Sequence, residues 1–504
     1  MEKARMIAER DFVVAQTDEK LFSSFVEPLG RCIYGGLYQP GHPKADENGF
    51  RTDVMDMVRP FNLTMNRFPG GNYTSTFRWE DSIGPKEKRP HRAEVAWQCI
   101  ETNEFGLNEF AKWSKMMNSD VMMTVNLATR GVLEAMDCVE YCNVEKGTYW
   151  SDKRREHGIE KPHGFRYWCL SNEIDGDWQV GQNTGSNYGR LAREAAKAMK
   201  LVDPDIKTVL AGSSNPNMRT FPDFDFDALN EAYEYVDYLS IHHYFSNHKG
   251  DTPNYLAKTL STDRFFKDIG AVIDHVKARR RSKHDVFISF DEFNTWHTVA
   301  GNERFERPRW GYAPPLLEDV YCLEDAVMLG AVLITVLKNA DRVRIACLSE
   351  LVNCISHIRT NNEGGCWALP GYYPFLHYCQ FGRGKVLGSR IQSPCYDTVD
   401  YTDVPYLDAV CVEQADGGMT LFAVNRHLTE QLPMELELRG YEGAWRVAEH
   451  IVMSGPDGKA TNTEADPFRV APHAGSGAAF EDGKLCAKLD ALSWNVIRLE
   501  KAEG

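Results

Sequence analysis

No stretch of the 504 residues approaches the length of a membrane span, and the N-terminus, Met1-Glu2-Lys3-Ala4-Arg5-Met6, carries charges instead of the apolar core of a secretory leader. Positive charge is scarce. Lys and Arg number 57 against 72 Asp and Glu, a formal charge of -15, which argues against partners such as nucleic acid or an anionic membrane. The thirteen cysteines fall singly, and Cys138 and Cys142 have no second pair at zinc spacing. Such thiols fit a reducing compartment, so a cytoplasmic protein is expected. Also missing are a Gly-x-Ser-x-Gly elbow and the His spacings of zinc hydrolases, and Gly181-Gln182-Asn183-Thr184-Gly185 lacks the spacing of a phosphate-cradling loop. There is no internal repeat. The remaining composition, 43% hydrophobic and 26% charged, is ordinary for a globular chain with room for one large domain and a smaller one.

What is present is an alternation of short apolar runs and helical stretches, and two runs set the pattern. Phe165-Arg166-Tyr167-Trp168-Cys169-Leu170 leads into Ser171-Asn172-Glu173-Ile174-Asp175-Gly176, and Val286-Phe287-Ile288-Ser289-Phe290 leads into Asp291-Glu292-Phe293-Asn294. Each places a glutamate where a buried strand emerges into a loop, a position that serves chemistry or simply caps the strand. Further strands are expected at 25–36, 63–68, 121–126, 208–212, 236–242 and 342–346. Helices are expected at 50–61, 108–117, 188–202, 265–278 and 316–337. Eight strands alternating with helices predict an α/β protein with a (β/α)8 barrel, in preference to a doubly wound open sheet. Beyond residue 384 the pattern turns to short alternating strands divided by turns such as Asp416-Gly417-Gly418, which predicts an all-β sandwich. The strand-like Asp11-Phe12-Val13-Val14 is expected to join it. The expected division is therefore 1–16 with the sandwich, 17–384 as the barrel and 385–504 as the sandwich.

In such a barrel the C-terminal ends of all strands meet at one mouth. Glu27, Arg67, Asn72, Asn126, Asn172, Glu173, His242, Tyr244 and Glu292 are thereby expected to face one pocket. Two carboxyl groups flanking one bond are what glycoside hydrolysis requires, one donating a proton and the other ionised. Trp97, Trp178, Trp296 and Tyr244 supply flat faces for sugar rings. Two other readings stay open on the residues alone. Metal-dependent hydrolysis would use His242, His243, Asp291, Glu292 and Asp175, but neighbouring strand residues point to opposite faces, so His242 and His243 do not both ligate easily. No metal and no cofactor is expected. Lectin-like binding without turnover needs the aromatics but not the carboxylate pair.

The motifs resemble the retaining α-L-arabinofuranosidases of glycoside hydrolase family 51. The resemblance rests on Gly30-Arg31-Cys32-Ile33-Tyr34-Gly35-Gly36, Arg67-Phe68-Pro69-Gly70-Gly71-Asn72, Trp79-Glu80-Asp81-Ser82-Ile83-Gly84-Pro85 and Glu101-Thr102-Asn103-Glu104-Phe105-Gly106. It continues through Ser171-Asn172-Glu173-Ile174-Asp175-Gly176, Ser240-Ile241-His242-His243-Tyr244, Asp291-Glu292-Phe293-Asn294-Thr295-Trp296 and Ala346-Cys347-Leu348-Ser349-Glu350-Leu351-Val352-Asn353. These run in order along the barrel, and Trp494-Asn495-Val496-Ile497-Arg498-Leu499 resembles the family's closing strand. The resemblance implies an exo-acting enzyme that releases terminal arabinofuranose from arabinose-containing saccharides. In that reading Glu173 is the acid/base and Glu292 the nucleophile. Glu27, Arg67, Asn72, Asn172, Tyr244, Trp296 and Glu350 hold or line the sugar. It also implies a homo-oligomer, often a hexamer. Related sequences include β-xylosidases and endo-β-glucanases, which stand as the alternative activities. Three residues depart from the family pattern: Glu350 for a common glutamine, Ser171 for a frequent glycine, and Gln39 for a glutamate.

Overall fold

The computed structural model describes residues 2–297 and 309–502. The chain begins in an outer sheet with β1 (Ala4–Gln16) and then builds a closed parallel barrel from eight strands. These are β2 (Ser23–Phe25), β3 (Met65–Phe68), β4 (Asp120–Val125), β5 (Tyr167–Leu170), β6 (Lys207–Ala211), β7 (Tyr238–Phe245), β8 (Phe287–Thr295) and β9 (Val343–Leu348). They pair in sequence order, and β9 closes the ring by placing Cys347 and Leu348 opposite Ser23 and Ser24 of β2.

Strand alternation sorts the side chains. Phe25, Met65, Met122, Tyr167, Cys169, Val209, Tyr238, Ile345 and Cys347 form one buried cluster that fills the lumen. Their neighbours Val121, Met123, Trp168, Leu170, Leu210 and Leu239 belong to the larger core shared with the surrounding helices. The barrel is thus plugged below its mouth, and polar residues at the strand ends are left above the plug.

The helices that follow the barrel strands are α1 (Thr52–Val58), α2 (Leu107–Met116), α3 (Val132–Asn143), α4 (Tyr149–Glu156), α5 (Gly185–Val202), α6 (Asp223–Ala232), α7 (Thr252–Ala257), α8 (Thr259–Arg280), α9 (Leu323–Lys338) and α10 (Tyr372–Phe381). The α5–α6 contact is close because Gly189 faces Ala228, where a Cβ would lie 2.7 Å from the Ala228 carbonyl oxygen. Helix α9 is buried along nearly its whole length. One side meets the barrel and the other meets the outer sheet, which explains its unbroken apolar sequence.

The outer sheet adds β10 (Lys385–Gln392), β11 (Leu407–Glu413), β12 (Met419–Asn425), β13 (Leu432–Arg439), β14 (Trp445–Met453), β15 (His473–Ala474), β16 (Ala478–Glu481), β17 (Lys484–Leu489) and β18 (Ser493–Lys501). Its order is β15-β14-β18-β12-β11-β10-β1-β13-β17-β16. Strand β1 runs antiparallel to β10 and parallel to β13. The sheet folds over until β14 and β16, near its two ends, touch around Met6, Leu421, Leu436, Leu485 and Ile497. Its other face presents Phe422, Trp494 and Val496 to α9, and a Cβ on Gly330 of α9 would lie 2.4 Å from the Trp494 ring.

Two sequence expectations are corrected. The expected strand 25–36 ends at Phe25, and turns follow in which Gly30 and Gly35 adopt φ of +48° and +89°. Those left-handed residues, together with Pro28, cannot continue a strand. The helix expected from 316 starts at Leu323, where Cys322 and Asp325 cap it. Helices α3, α4, α6, α7 and α10 have no counterpart among the sequence expectations, although α3 buries Ala135, Cys138, Val139 and Cys142 along one face, because small and weakly apolar residues make up much of that face.

Candidate active site

The strand ends converge as the barrel requires. Arg67 on β3 is fully buried and organises the site. Its Nη1 donates to Glu292 Oε1 at 2.5 Å and its Nη2 to Asn172 Oδ1 at 2.6 Å, while Nε lies 3.5 Å from Asp291 Oδ2. The Phe25 ring lies beneath the guanidinium, 4.8 Å from its centre, so the apolar lumen supports the cation. Burial by itself would lower the guanidinium's proton affinity, but Asp291 and Glu292 raise it well above the usual value.

Glu292 stands near the end of β8 and also accepts a hydrogen bond from the Tyr244 hydroxyl at 2.9 Å. Its neighbour Asp291 faces the same way, against simple alternation. The register of β8 shifts against both β7 and β9 around these residues, and the bulge turns two consecutive carboxylates inward. His242 on β7 lies opposite Glu292. Its Nδ1 is 2.9 Å from Glu173 Oε1 and 3.5 Å from Glu292 Oε2, and its Nε2 is 3.4 Å from Asp291 Oδ1. Burial opposes charge on this ring, but Glu292, Asp291 and Glu173 outweigh it and push His242 up to about 10. The surrounding carboxylates therefore favour the imidazolium form. For Asp291, burial acts upward, but Arg67 and His242 hold it below the usual carboxylate range. For Glu292, burial wins over His242 and Arg67, and the group is raised.

Glu173 follows β5 in a tight turn. Ser171 and Glu173 have φ of +78° and +44°, and the Gly176 N–H donates back to the Glu173 carbonyl at 3.0 Å. These left-handed residues place Asn172 against Arg67 and Glu173 against His242. The Trp178 indole N–H donates to Glu173 Oε2 at 2.7 Å. Asn172 in turn donates to Asn72 Oδ1 at 3.1 Å. One carboxylate oxygen of Glu173, one of Glu292 and one nitrogen of His242 all lie within 4.8 Å of one another.

Glu27 closes the pocket from the loop after β2. Its Oε1 accepts from the Tyr73 N–H at 2.6 Å and the Trp97 indole at 3.0 Å. The Gly70-Gly71 turn exists to admit it: Gly71 has φ of +49°, and a Cβ there would lie 2.5 Å from Glu27 Oε2. Burial, partly relieved by Trp97 and Tyr73, raises Glu27 to about 8. Glu350, after β9, accepts from the Glu27 N–H at 3.0 Å and the Cys32 thiol at 3.1 Å. Trp296 packs edge-on against Tyr244, with ring centres 5.1 Å apart. Gln39 lies outside this group, accepting from Arg51 at 2.9 Å and donating to the Asn362 carbonyl at 2.8 Å.

Glu173, Glu292, Glu27, Arg67, Asn72, Asn172, Tyr244, Trp296 and Glu350 therefore form one connected cluster. Asn126 does not join it. Its amide binds the carbonyls of Ser75 and Phe77, each at 3.1 Å, and holds the loop after β3. His243 points the other way and pairs with Thr262 of α8 at 3.0 Å. Asp175 accepts from the Ser214 N–H at 3.0 Å and ties the loops after β5 and β6 together. Asp291 and Trp178 hold places that strand periodicity does not reveal, one because of a bulge and the other because of a loop. The Glu173–His242–Glu292 group is poorly suited to a metal, since a protonated imidazole offers no lone pair and both carboxylates already hold cations or donors. A second acidic group, Cys322, Glu324 and Asp325, is the start of α9 with its members bonded to Tyr255, His297, Asn247 and Thr252.

The comparisons with known proteins agree with this geometry. The family model for the alpha-L-arabinofuranosidase 1 domain matches residues 57–261, and that for the alpha-L-arabinofuranosidase C-terminal domain matches 291–493. An intracellular exo-alpha-(1->5)-L-arabinofuranosidase of Halalkalibacterium halodurans is 48% identical over 99% of both chains. A protein of the same name, numbered 1, from Bacillus subtilis is 47% identical over 99% of this chain and 100% of its own. The solved structure of a family 51 alpha-L-arabinofuranosidase from Bifidobacterium longum superposes with a TM-score of 0.94 at 37% identity, covering 99% of this chain and 100% of that one. By barrel, strand-end carboxylates and near-complete alignment, the chain belongs to the α-L-arabinofuranosidases of glycoside hydrolase family 51.

Proposed function

We propose that the protein is an exo-acting, retaining α-L-arabinofuranosidase. The observation that carries this reading is the approach of Glu173 and Glu292 oxygens to within 4.8 Å across the barrel mouth. Retaining glycosidases hold their carboxyl groups about 5–5.5 Å apart, whereas inverting enzymes leave about 6.5–9.5 Å for a water. Glu292 attacks the anomeric carbon of a terminal arabinofuranosyl unit as Glu173 gives its proton to the departing glycosidic oxygen. The C–O bond to the leaving group breaks and an ester to Glu292 forms. A water then surrenders its proton to Glu173 and attacks the same carbon, releasing arabinose and regenerating Glu292.

The surrounding groups have matching tasks. Arg67 and Tyr244 fix the Glu292 carboxylate, and His242 bridges it to Glu173 and Asp291. Asn72, Asn172, Glu27 and Glu350 offer donors and acceptors to ring hydroxyls, and Trp296 forms part of the wall. We assign this chemistry to residues 17–384, with 1–16 and 385–504 acting as an accessory β-domain. The place of β1 inside the outer sheet supports that division. The described cysteines carry no disulfide, and the relatives' names include the word intracellular, which supports a cytoplasmic enzyme. Following the family resemblance, the assembly is a homo-oligomer, which light scattering on the purified protein measures.

Two assays test the reading. Release of arabinose from an aryl α-L-arabinofuranoside should far exceed release from aryl β-xylopyranoside or cellulosic substrates. Sugar binding without turnover would instead mark a lectin. Glu292→Ala should lose activity and regain turnover with azide as a glycosyl azide of inverted configuration. Full activity in Glu292→Ala excludes the assignment.

A further inference from the structure

The cluster holds five carboxyl groups, Glu27, Glu173, Asp291, Glu292 and Glu350, and two cations, Arg67 and His242. Both cations are engaged with Glu173, Asp291 and Glu292. Among the described residues no Lys, Arg or His forms an ion pair with Glu27 or Glu350, and both are almost fully buried. The groups that face Glu350 are Glu27 and Cys32 from the loop after β2, Tyr244 from β7, Glu292 from β8 and Cys354 from its own loop. All are acidic or neutral. Its Oε2 accepts from the Glu27 backbone N–H and the Cys32 thiol. Two adjacent buried carboxyl groups with no counter-ion cannot both ionise cheaply, and one proton stays in the pair.

We propose that Glu27 and Glu350 act as one proton-sharing pair in the sugar pocket, and that sugar binding requires at least one proton on it. A protonated Glu350 offers one donor and one acceptor in nearly the shape of a glutamine amide, the residue that the family resemblance implies at this position. It therefore does a glutamine's work, but only while it keeps its proton. Loss of that proton places a second negative charge beside Glu292 and removes a donor to the sugar. Burial, then Glu27, lifts Glu350 well above the usual carboxylate range, and Glu27 itself is lifted to about 8. The proton that leaves at alkaline pH goes to solvent. Glu350 is in this sense a specificity residue that makes affinity pH-dependent, a dependence that glutamine would not create.

The proposal rests on the arabinofuranosidase reading for its ligand, and its tests separate the two. L-Arabinose binding to the wild-type protein, followed by calorimetry in two buffers of different ionisation enthalpy, should weaken about tenfold per pH unit above the pair's alkaline step and take up one proton there. Glu350→Gln should bind with no such alkaline loss, because the glutamine amide keeps its donor at every pH. Infrared difference spectra recorded without sugar, acid minus alkaline, should show protonated carboxylic acid absorption that is weaker in Glu350→Gln by the contribution of one buried group, while Glu101, Asp175 and Asp225, also raised by burial, absorb equally in both. Alkaline binding with no proton uptake by the wild type overturns the proposal even if the variant does not fold. An unchanged infrared band in a folded Glu350→Gln overturns it even if arabinose is not the ligand.

Discussion

Replacing His242 with glutamine removes a buried cation while leaving an amide of similar reach among three carboxylates. In the native site the imidazolium lies 3.5 Å from Glu292 Oε2, 3.4 Å from Asp291 Oδ1 and 2.9 Å from Glu173 Oε1. With an effective dielectric of about 20, one unit charge at that separation from Glu292 stabilises the carboxylate by about 5 kcal/mol. Arg67 remains in place, and the glutamine amide recovers part of the loss. The net change is then in the range of about 1 to 3 pH units seen when an opposite charge is removed from a carboxylate. The sign follows from the chemistry. In the proposed mechanism Glu292 must be ionised to attack; burial already raises it, and without the imidazolium it holds its proton to still higher pH. The acid limb of kcat/KM on an aryl α-L-arabinofuranoside should move toward alkaline pH by about 1 to 3 units. Breaking a buried ion network also costs about 3–5 kcal/mol of stability, so profiles are taken below the variant's unfolding transition, measured by circular dichroism. A folded His242→Gln whose acid limb stays where the wild type has it refutes the imidazolium and the charge reasoning built on it.

Three further outcomes follow from the same structure. Glu27 and His242 both keep protons in the folded protein that the unfolded chain loses, at about 8 against an ordinary 4.5 and at about 10 against an ordinary 6.5. Their contribution to stability is complete below the ordinary values and falls as pH rises, from 4.5 to about 8 for Glu27 and from 6.5 to about 10 for His242, so unfolding temperature should decline on the alkaline side. Trp178→Phe removes the 2.7 Å donor that stabilises the carboxylate left when Glu173 gives up its proton in the proposed mechanism, a hydrogen bond worth about 1.5–3 kcal/mol, and should lower kcat/KM about tenfold or more. The loss should be larger on arabino-oligosaccharides than on activated aryl glycosides, whose leaving groups need little protonation; equal losses on both would argue against a role at the acid/base. Ser171→Gly relieves a left-handed serine whose hydroxyl has no partner among the described residues, and should raise stability by about 0.5–1 kcal/mol in denaturant unfolding with activity retained.

Much of this protein was legible from residue order alone. Short apolar runs with polar ends marked seven of the barrel strands closely and the first only at Phe25, and the two candidate carboxylates, Glu173 and Glu292, stand at strand ends in the sequence itself. Alternation also foretold that His242 and His243 part company, one facing the carboxylates and the other Thr262 of α8. The β-texture after residue 384 was likewise readable, because sheet burial imprints a local period, whereas the N-terminal strand is buried at Ala4, Met6 and Ala8 and leaves Phe12 and Val13, the run that suggested it, exposed.

Only tertiary structure decided the rest, for a common reason: each point depends on contacts between segments far apart in sequence. Asp291 turns inward because β8 bulges against two neighbours, which no period in its own strand reports. Asn126, polar and at a strand end like the others, is spent on the loop after β3 instead of the pocket. The imidazolium at His242 exists because three carboxylates from β5 and β8 surround it, and the chain never places them near it in sequence. The pairing of Glu27 with Glu350, separated by most of the barrel, arises only where β9 closes on β2. Local sequence determines which groups stand at the mouth; the closure of the ring determines which charges must share it.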